Sequence, residues 1–67
     1  MYQVKDLTNI YAISLVAETQ TLPEAIRSIK GKIYQIEEDD LNPDHYDVIT
    51  WQGGQFTIEP KKDKAHA

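Results

Sequence analysis

Tyr11, Ile13, Leu15 and Ala17 alternate with Ala12, Ser14 and Val16, the period of two that gives an extended strand one apolar face. Tyr2 and Val4 alternate in the same way, which predicts a hairpin of residues 2–5 and 10–18 turning at Thr8 and Asn9. With those two residues as the loop, Val4 faces Ile13 and Tyr2 faces Leu15, so a single register gathers the apolar residues of both strands; a longer loop is the alternative.

The period then changes. Leu22, Ala25, Ile26 and Ile29 recur at i, i+3, i+4 and i+7, one stripe of a helix. Thr21 and Glu24 have capping-box spacing, Pro23 suits a first turn, and Gly31 is placed to end the helix in a left-handed conformation. Arg27, Lys30 and Lys32 lie toward the negative end of the helix dipole. So short a helix is marginal alone, and its stripe must pack on the sheet.

Residues 32–38 return to period two, with Tyr34 and Ile36 on one face, and residues 39–45 form a polar loop broken by Asn42, Pro43 and Asp44. In residues 46–59, Gly53 and Gly54 can supply both positive φ angles of a type I′ turn, which sets Trp51 against Phe56 and Ile49 against Ile58. Those four residues then lie under the helix, Trp51 and Phe56 as core, while Tyr46, Val48, Thr50 and Gln52 emerge on the open face. Tyr11 and Tyr34 are expected in or at the edge of the core.

The element order is β-β-α-β-β-β, which defines an α+β fold: a single antiparallel five-stranded sheet with one helix packed on one face. Residues 1–60 make one domain, and residues 61–67 a flexible C-terminal tail with nothing to bury. A strand order of 2-1-3-4-5 sets strands two and three parallel on either side of strand one, so that the helical crossover takes its usual right hand.

Composition narrows the function classes. A chain of 67 residues has a small core, and without cysteine it has neither a disulfide nor a Cys-based zinc site. That usage, with no signal-peptide pattern in the first residues and no long apolar run, leads us to expect a cytoplasmic protein. The net charge of −4 is unevenly spread. Residues 33–60 hold Glu37, Glu38, Asp39, Asp40, Asp44, Asp47 and Glu59 and no Lys or Arg.

Catalytic chemistry finds no footing. Ser14 and Ser28 lack a nucleophile turn, and His45 is a loop residue, so no catalytic residue and no enzyme activity is expected. Asp40, Asn42 and Asp44 match the first half of a calcium-binding EF-hand loop, but His45 stands where the turn Gly belongs and Trp51 where the bidentate Glu belongs. No metal or cofactor is expected. Direct nucleic-acid binding needs concentrated Lys and Arg, which the chain lacks. Carboxylates along one edge instead either present the repeated negative charge that a basic groove attracts, or only solvate that face and block edge-to-edge aggregation. The candidate partner-binding residues are therefore Glu37, Glu38, Asp39, Asp40, Asp44 and Asp47, with Tyr46 as an apolar anchor among them.

In size, acidic block and α+β plan, the chain resembles the small acidic inhibitors encoded by phages and mobile elements, notably anti-CRISPR proteins, several of which imitate nucleic acid electrostatically. That resemblance implies an inhibitor whose partner is a nucleic-acid-handling protein complex with a basic surface, such as a CRISPR effector complex, and, for a phage-encoded chain, action in the host-cell cytoplasm. Residues 17–29, AETQTLPEAIRSI, are similar to the strand-to-helix passage of HicB-type antitoxin domains, although the Pro-Gly-containing strand that precedes that passage in the family is missing. This second likeness implies a small regulatory module that binds a protein through its helix or a sheet edge.

Overall fold

The computed structural model describes residues 1–61. Its elements are β1 (Tyr2–Asp6), β2 (Ser14–Thr19), α1 (Leu22–Ser28), β3 (Ile33–Glu38), β4 (Tyr46–Thr50) and β5 (Gln55–Pro60). The five strands form one antiparallel sheet, and α1 packs over β2 and β1. The fold class read from the sequence is the one observed.

The helix begins as its local chemistry dictates. The Thr21 hydroxyl accepts the Glu24 amide at 3.4 Å and the Glu24 carboxylate accepts the Thr21 amide at 3.1 Å, which closes the capping box. Gly31 follows at φ +96°, a conformation that glycine adopts without the usual Cβ penalty. Ala25 and Ile29 are buried, with Leu22 and Ile26 packed beside them, so the whole stripe reaches the core.

The strand order differs from expectation: it is β2-β1-β5-β4-β3, not 2-1-3-4-5. The C-terminal strand inserts beside β1, where Val4 stands opposite Ile58, both fully buried. A central β3 would have enclosed Glu37 and Glu38 in the sheet. At the edge those carboxylates stay in water and discourage strand addition.

Both hairpins also take registers other than the expected ones. In the first, Val4 pairs with Ala17 and Tyr2 with Thr19, so the connection runs through residues 7–13 rather than two. Two local turns lengthen it: the Asp6 carboxylate accepts the Thr8 amide at 2.8 Å, and the Asn9 side chain accepts the Tyr11 amide at 3.0 Å. Tyr11 is consequently 93% exposed rather than part of the core. An extra residue at Val16 bulges the strand, which leaves Leu15 opposite Lys5 on the open face while Ala17 lies under the helix.

In the second hairpin Val48 faces Phe56 and Tyr46 faces Ile58. Only Gly53 has positive φ, at +88°, and its amide donates to the Thr50 carbonyl at 2.9 Å. The connection is a three-residue loop, Trp51, Gln52 and Gly53, closed by the Thr50 and Gly54 pair, rather than a type I′ turn. The register moves by three residues, an odd number, and so exchanges the faces of β4. Val48 and Thr50 are buried, Tyr46 is half-buried on the helix side, and Ile49 and Trp51 are exposed, each the reverse of the sequence expectation. Trp51 leaves the core for the hairpin tip, where it meets Tyr34 edge-on with ring centroids 4.5 Å apart.

Tyr34 itself sits in an irregularity of β3, so Ile33 and Ile36 rather than Tyr34 and Ile36 share the helix-side face. Lys61, assigned by the sequence to the tail, donates its amide to the Met1 carbonyl at 2.9 Å and extends the ladder by one bond. The remainder of the expected tail, residues 62–67, lies outside the described residues.

Candidate functional site

The acidic residues gather at the end of the sheet formed by β3, β4 and the connection between them, but they do not form one uniform surface. Residues directly opposite across neighbouring strands share a face. Glu37 is opposite Asp47, which is in turn opposite Thr57, and this row lies on the face away from the helix. Glu38 is opposite Tyr46 and Ile58, on the helix side.

Three of the carboxylates are engaged in building the connection. Asp39 accepts the Leu41 amide at 2.8 Å and the Asn42 side-chain amide at 3.3 Å, and its own amide donates to the His45 carbonyl at 2.7 Å. Those hydrogen bonds, led by the one from Leu41, hold the Asp39 carboxyl below its ordinary pKa. Glu38 accepts the Asp44 amide at 2.9 Å, which fixes a residue whose φ is +69°. Asp44 completes the set by accepting the Tyr2 hydroxyl at 3.0 Å and the Tyr46 hydroxyl at 3.5 Å. Tyr46 therefore braces Asp44 from the helix side. It is not an anchor on the open face beside the acids, because the observed register of β4 turns it inward.

Glu37, Asp40 and Asp47 remain exposed. The ion pairs found among the described residues, Lys5 with Glu59 and Lys61 with Glu18, each at 2.9 Å, involve none of the three. Glu37 accepts a hydrogen bond from Gln35, a neutral partner. Two like charges directly opposite across a strand pair cost stability, and no cation among the described residues forms an ion pair with either. The seven sequence candidates thus divide into a structural group, Glu38, Asp39, Asp44 and Tyr46, and a projecting group, Glu37, Asp40 and Asp47.

Asp44 is committed to two tyrosines and Asn42 to Asp39, so the partial calcium-loop pattern is realised as a hydrogen-bonded turn. Among the described residues no three His, Asp or Glu side chains assemble as a metal site. Nor is any described helix long and apolar enough to cross a membrane.

Sequence reasoning missed an exposed apolar group at the other end of the sheet. Ile10, Tyr11 and Ile13 project from the first connection, followed by Leu15 and Val16 on β2. The available signal is Asn9, whose side chain can accept the amide two residues on and does accept that of Tyr11, so the turn runs past the two residues expected of it.

The tyrosine cluster gives the fold a pH signature. The hydrogen bond from Tyr2 to Asp44 raises the Tyr2 pKa above its ordinary 10.0, and burial with the nearby Glu38 charge raises that of Tyr46. The folded chain then holds phenolic protons more tightly than the unfolded chain does. The resulting stability is complete below about pH 10 and is lost as pH rises through the raised values. At the acid end, Asp6, Glu18 and Asp39 are lowered, chiefly by hydrogen bonds from Thr8, Lys61 and Leu41 respectively. Their contribution is complete above the ordinary 3.8 and 4.5 and is lost as pH falls through the lowered values. Urea midpoints followed by circular dichroism should therefore fall on both sides of a plateau, and Tyr2→Phe should flatten the alkaline fall. Parallel alkaline limbs in the two proteins would contradict this account.

No family model matches this chain, and no curated protein or solved structure is significantly similar to it.

Proposed function

We propose that this chain is a non-enzymatic inhibitor of a nucleic-acid-handling protein complex, acting as an acidic mimic that occupies a basic groove, as anti-CRISPR proteins of this general kind do. The observation that carries the reading is the pair of Glu37 and Asp47 on the open face, which meets no cation among the described residues, with Asp40 exposed in the connection that follows β3. An arrangement that costs stability and could be relieved by one Lys is better explained by a partner that supplies the cations. Glu38, Asp39, Asp44 and Tyr46 serve it indirectly by holding the connection in shape. The same reading has it act in the cytoplasm, where no membrane-spanning helix among the described residues opposes it.

Immobilised chain should capture a basic protein from a nuclease-treated extract of its source cell, and added duplex DNA or RNA should displace that protein. Capture should weaken at least tenfold between about 50 and 500 mM NaCl, because contacts among exposed charges are screened. The triple variant Glu37→Lys, Asp40→Lys, Asp47→Lys should lose it at low salt. Capture indifferent to both salt and the triple variant would overturn the reading.

A further inference from the structure

The two edges of the sheet are chemically opposite. The β3 edge carries Glu37 and Glu38, with Asp47 on the neighbouring strand, whereas residues 7–17, which lead into and form most of the β2 edge, contain no charged residue. Five of their large apolar side chains are exposed: Ile10 68%, Tyr11 93%, Ile13 55%, Leu15 55% and Val16 39%. Proteins usually guard an edge strand with charge, and on this edge the charge is confined to Glu18 near the end of β2, where Lys61 neutralises it at 2.9 Å, so the stretch through residue 17 is guarded only by the bulge at Val16.

We propose that a second copy of this chain covers the β2 edge, forming a two-fold dimer in which the two β2 strands lie side by side and antiparallel. Charge selects the occupant. Each copy carries −4, so two copies can approach without strong repulsion only across a neutral surface, and this edge with its preceding loop is one. The two-fold arrangement places the β3 edges at the outermost positions of a continuous sheet, as far apart as the fold allows.

Antiparallel pairing of edge strands requires an axis normal to the sheet, and that axis keeps both helices on one side. Because α1 lies over β2 and β1, the helices become antiparallel neighbours. Glu24 in the first turn of one then lies toward Arg27 in the last turn of the other. The bulge at Val16 shortens any regular ladder, so side chains make most of the contact. Five apolar side chains of this size offer several hundred Å² per copy, the scale of the roughly 800 Å² per partner in a standard interface.

Sedimentation equilibrium of the full chain from about 5 to 500 µM tests the proposal. The mass should rise from 7.7 kDa toward twice that value. Leu15→Glu should shift the dimerisation midpoint at least tenfold toward higher concentration. It sets Glu opposite Lys5 within each copy, which favours the fold, while placing like charges near the two-fold axis. Tyr11→Ser should weaken association from the exposed loop without touching the sheet, and it decides the matter if Leu15→Glu alters the circular dichroism. Tyr34→Ser, at the far edge, should leave the dimer intact. A mass that stays at 7.7 kDa throughout overturns the proposal. So does unaltered association in Tyr11→Ser together with a folded Leu15→Glu, or binding of a monomeric chain to anionic lipid vesicles through Tyr11.

Discussion

Ile58→Ala is expected to leave most of the chain unfolded in water at 25 °C. Ile58 is fully buried on β5, the middle strand, with Val4 opposite on one side and Tyr46 on the other. Val4, Ala25, Ile29 and Val48 complete the buried cluster. Truncating a buried isoleucine to alanine costs about 2–5 kcal/mol, since the lost transfer energy is joined by a cavity that rigid neighbours cannot fill. A core in a chain below about 70–80 residues rarely supplies more than roughly 3–5 kcal/mol in total. One substitution is therefore comparable with the whole stability. Ile58→Val, at about 0.5–1.5 kcal/mol, should remain folded with a lower urea midpoint. Leu41→Ala, at an exposed loop position, should stay within about 0.5 kcal/mol of the parent. Urea titration followed by circular dichroism separates the three, and a loss below 1 kcal/mol for Ile58→Ala would show that β5 is not the centre of the core.

The same residue marks what could be read in advance. The start and apolar stripe of the helix were legible, because the capping box, Pro23 and the stripe act within a few residues of one another; its end was not, since Ile29 in an extended conformation closes it two residues before Gly31. The existence of all five strands was legible for the same reason. Register and order were not, because they depend on which distant residues share a face. Gly53 and Gly54 satisfy a two-residue turn as well as the three-residue loop that forms, and the choice lies elsewhere.

One overlooked signal could have made that choice. In the two-residue register Asp47 falls on the same face as Ile49 and Trp51, beneath the helix, where an unpaired carboxylate is costly. The observed register returns Asp47 to water and brings Val48 inward. The strand order follows similar logic, since β3 carries the charges that belong at an edge and β5 has the apolar side chains that suit the centre. The acidic block was visible from the sequence, but its division was not. Asp39 bonding to Leu41, and Asp44 bonding to Tyr2 forty-two residues away, could not be told from Glu37, Asp40 and Asp47 by charge alone.

Asp47→Lys should raise stability and weaken partner binding together. Asp47 is exposed on β4, opposite Glu37 on the edge strand and Thr57 on the inner one, so the substitution needs no repacking. It replaces a like-charged cross-strand pair with an opposite-charged one, a change of about 0.5–1 kcal/mol in favour of the fold. The gain should shrink as salt rises, since the Debye length is about 10 Å at 0.1 M. A basic groove, by contrast, loses one attraction and meets a repulsion in its place, and capture of the partner should fall at least tenfold at low salt. If the carboxylates only keep the edge in water, the variant gains stability and capture is unchanged. Stability and binding that move in opposite directions identify a surface kept at the fold's expense for what it meets. Urea midpoints and capture measured on the same preparation test both halves, and a variant that is less stable than its parent would remove the premise that Glu37 and Asp47 repel.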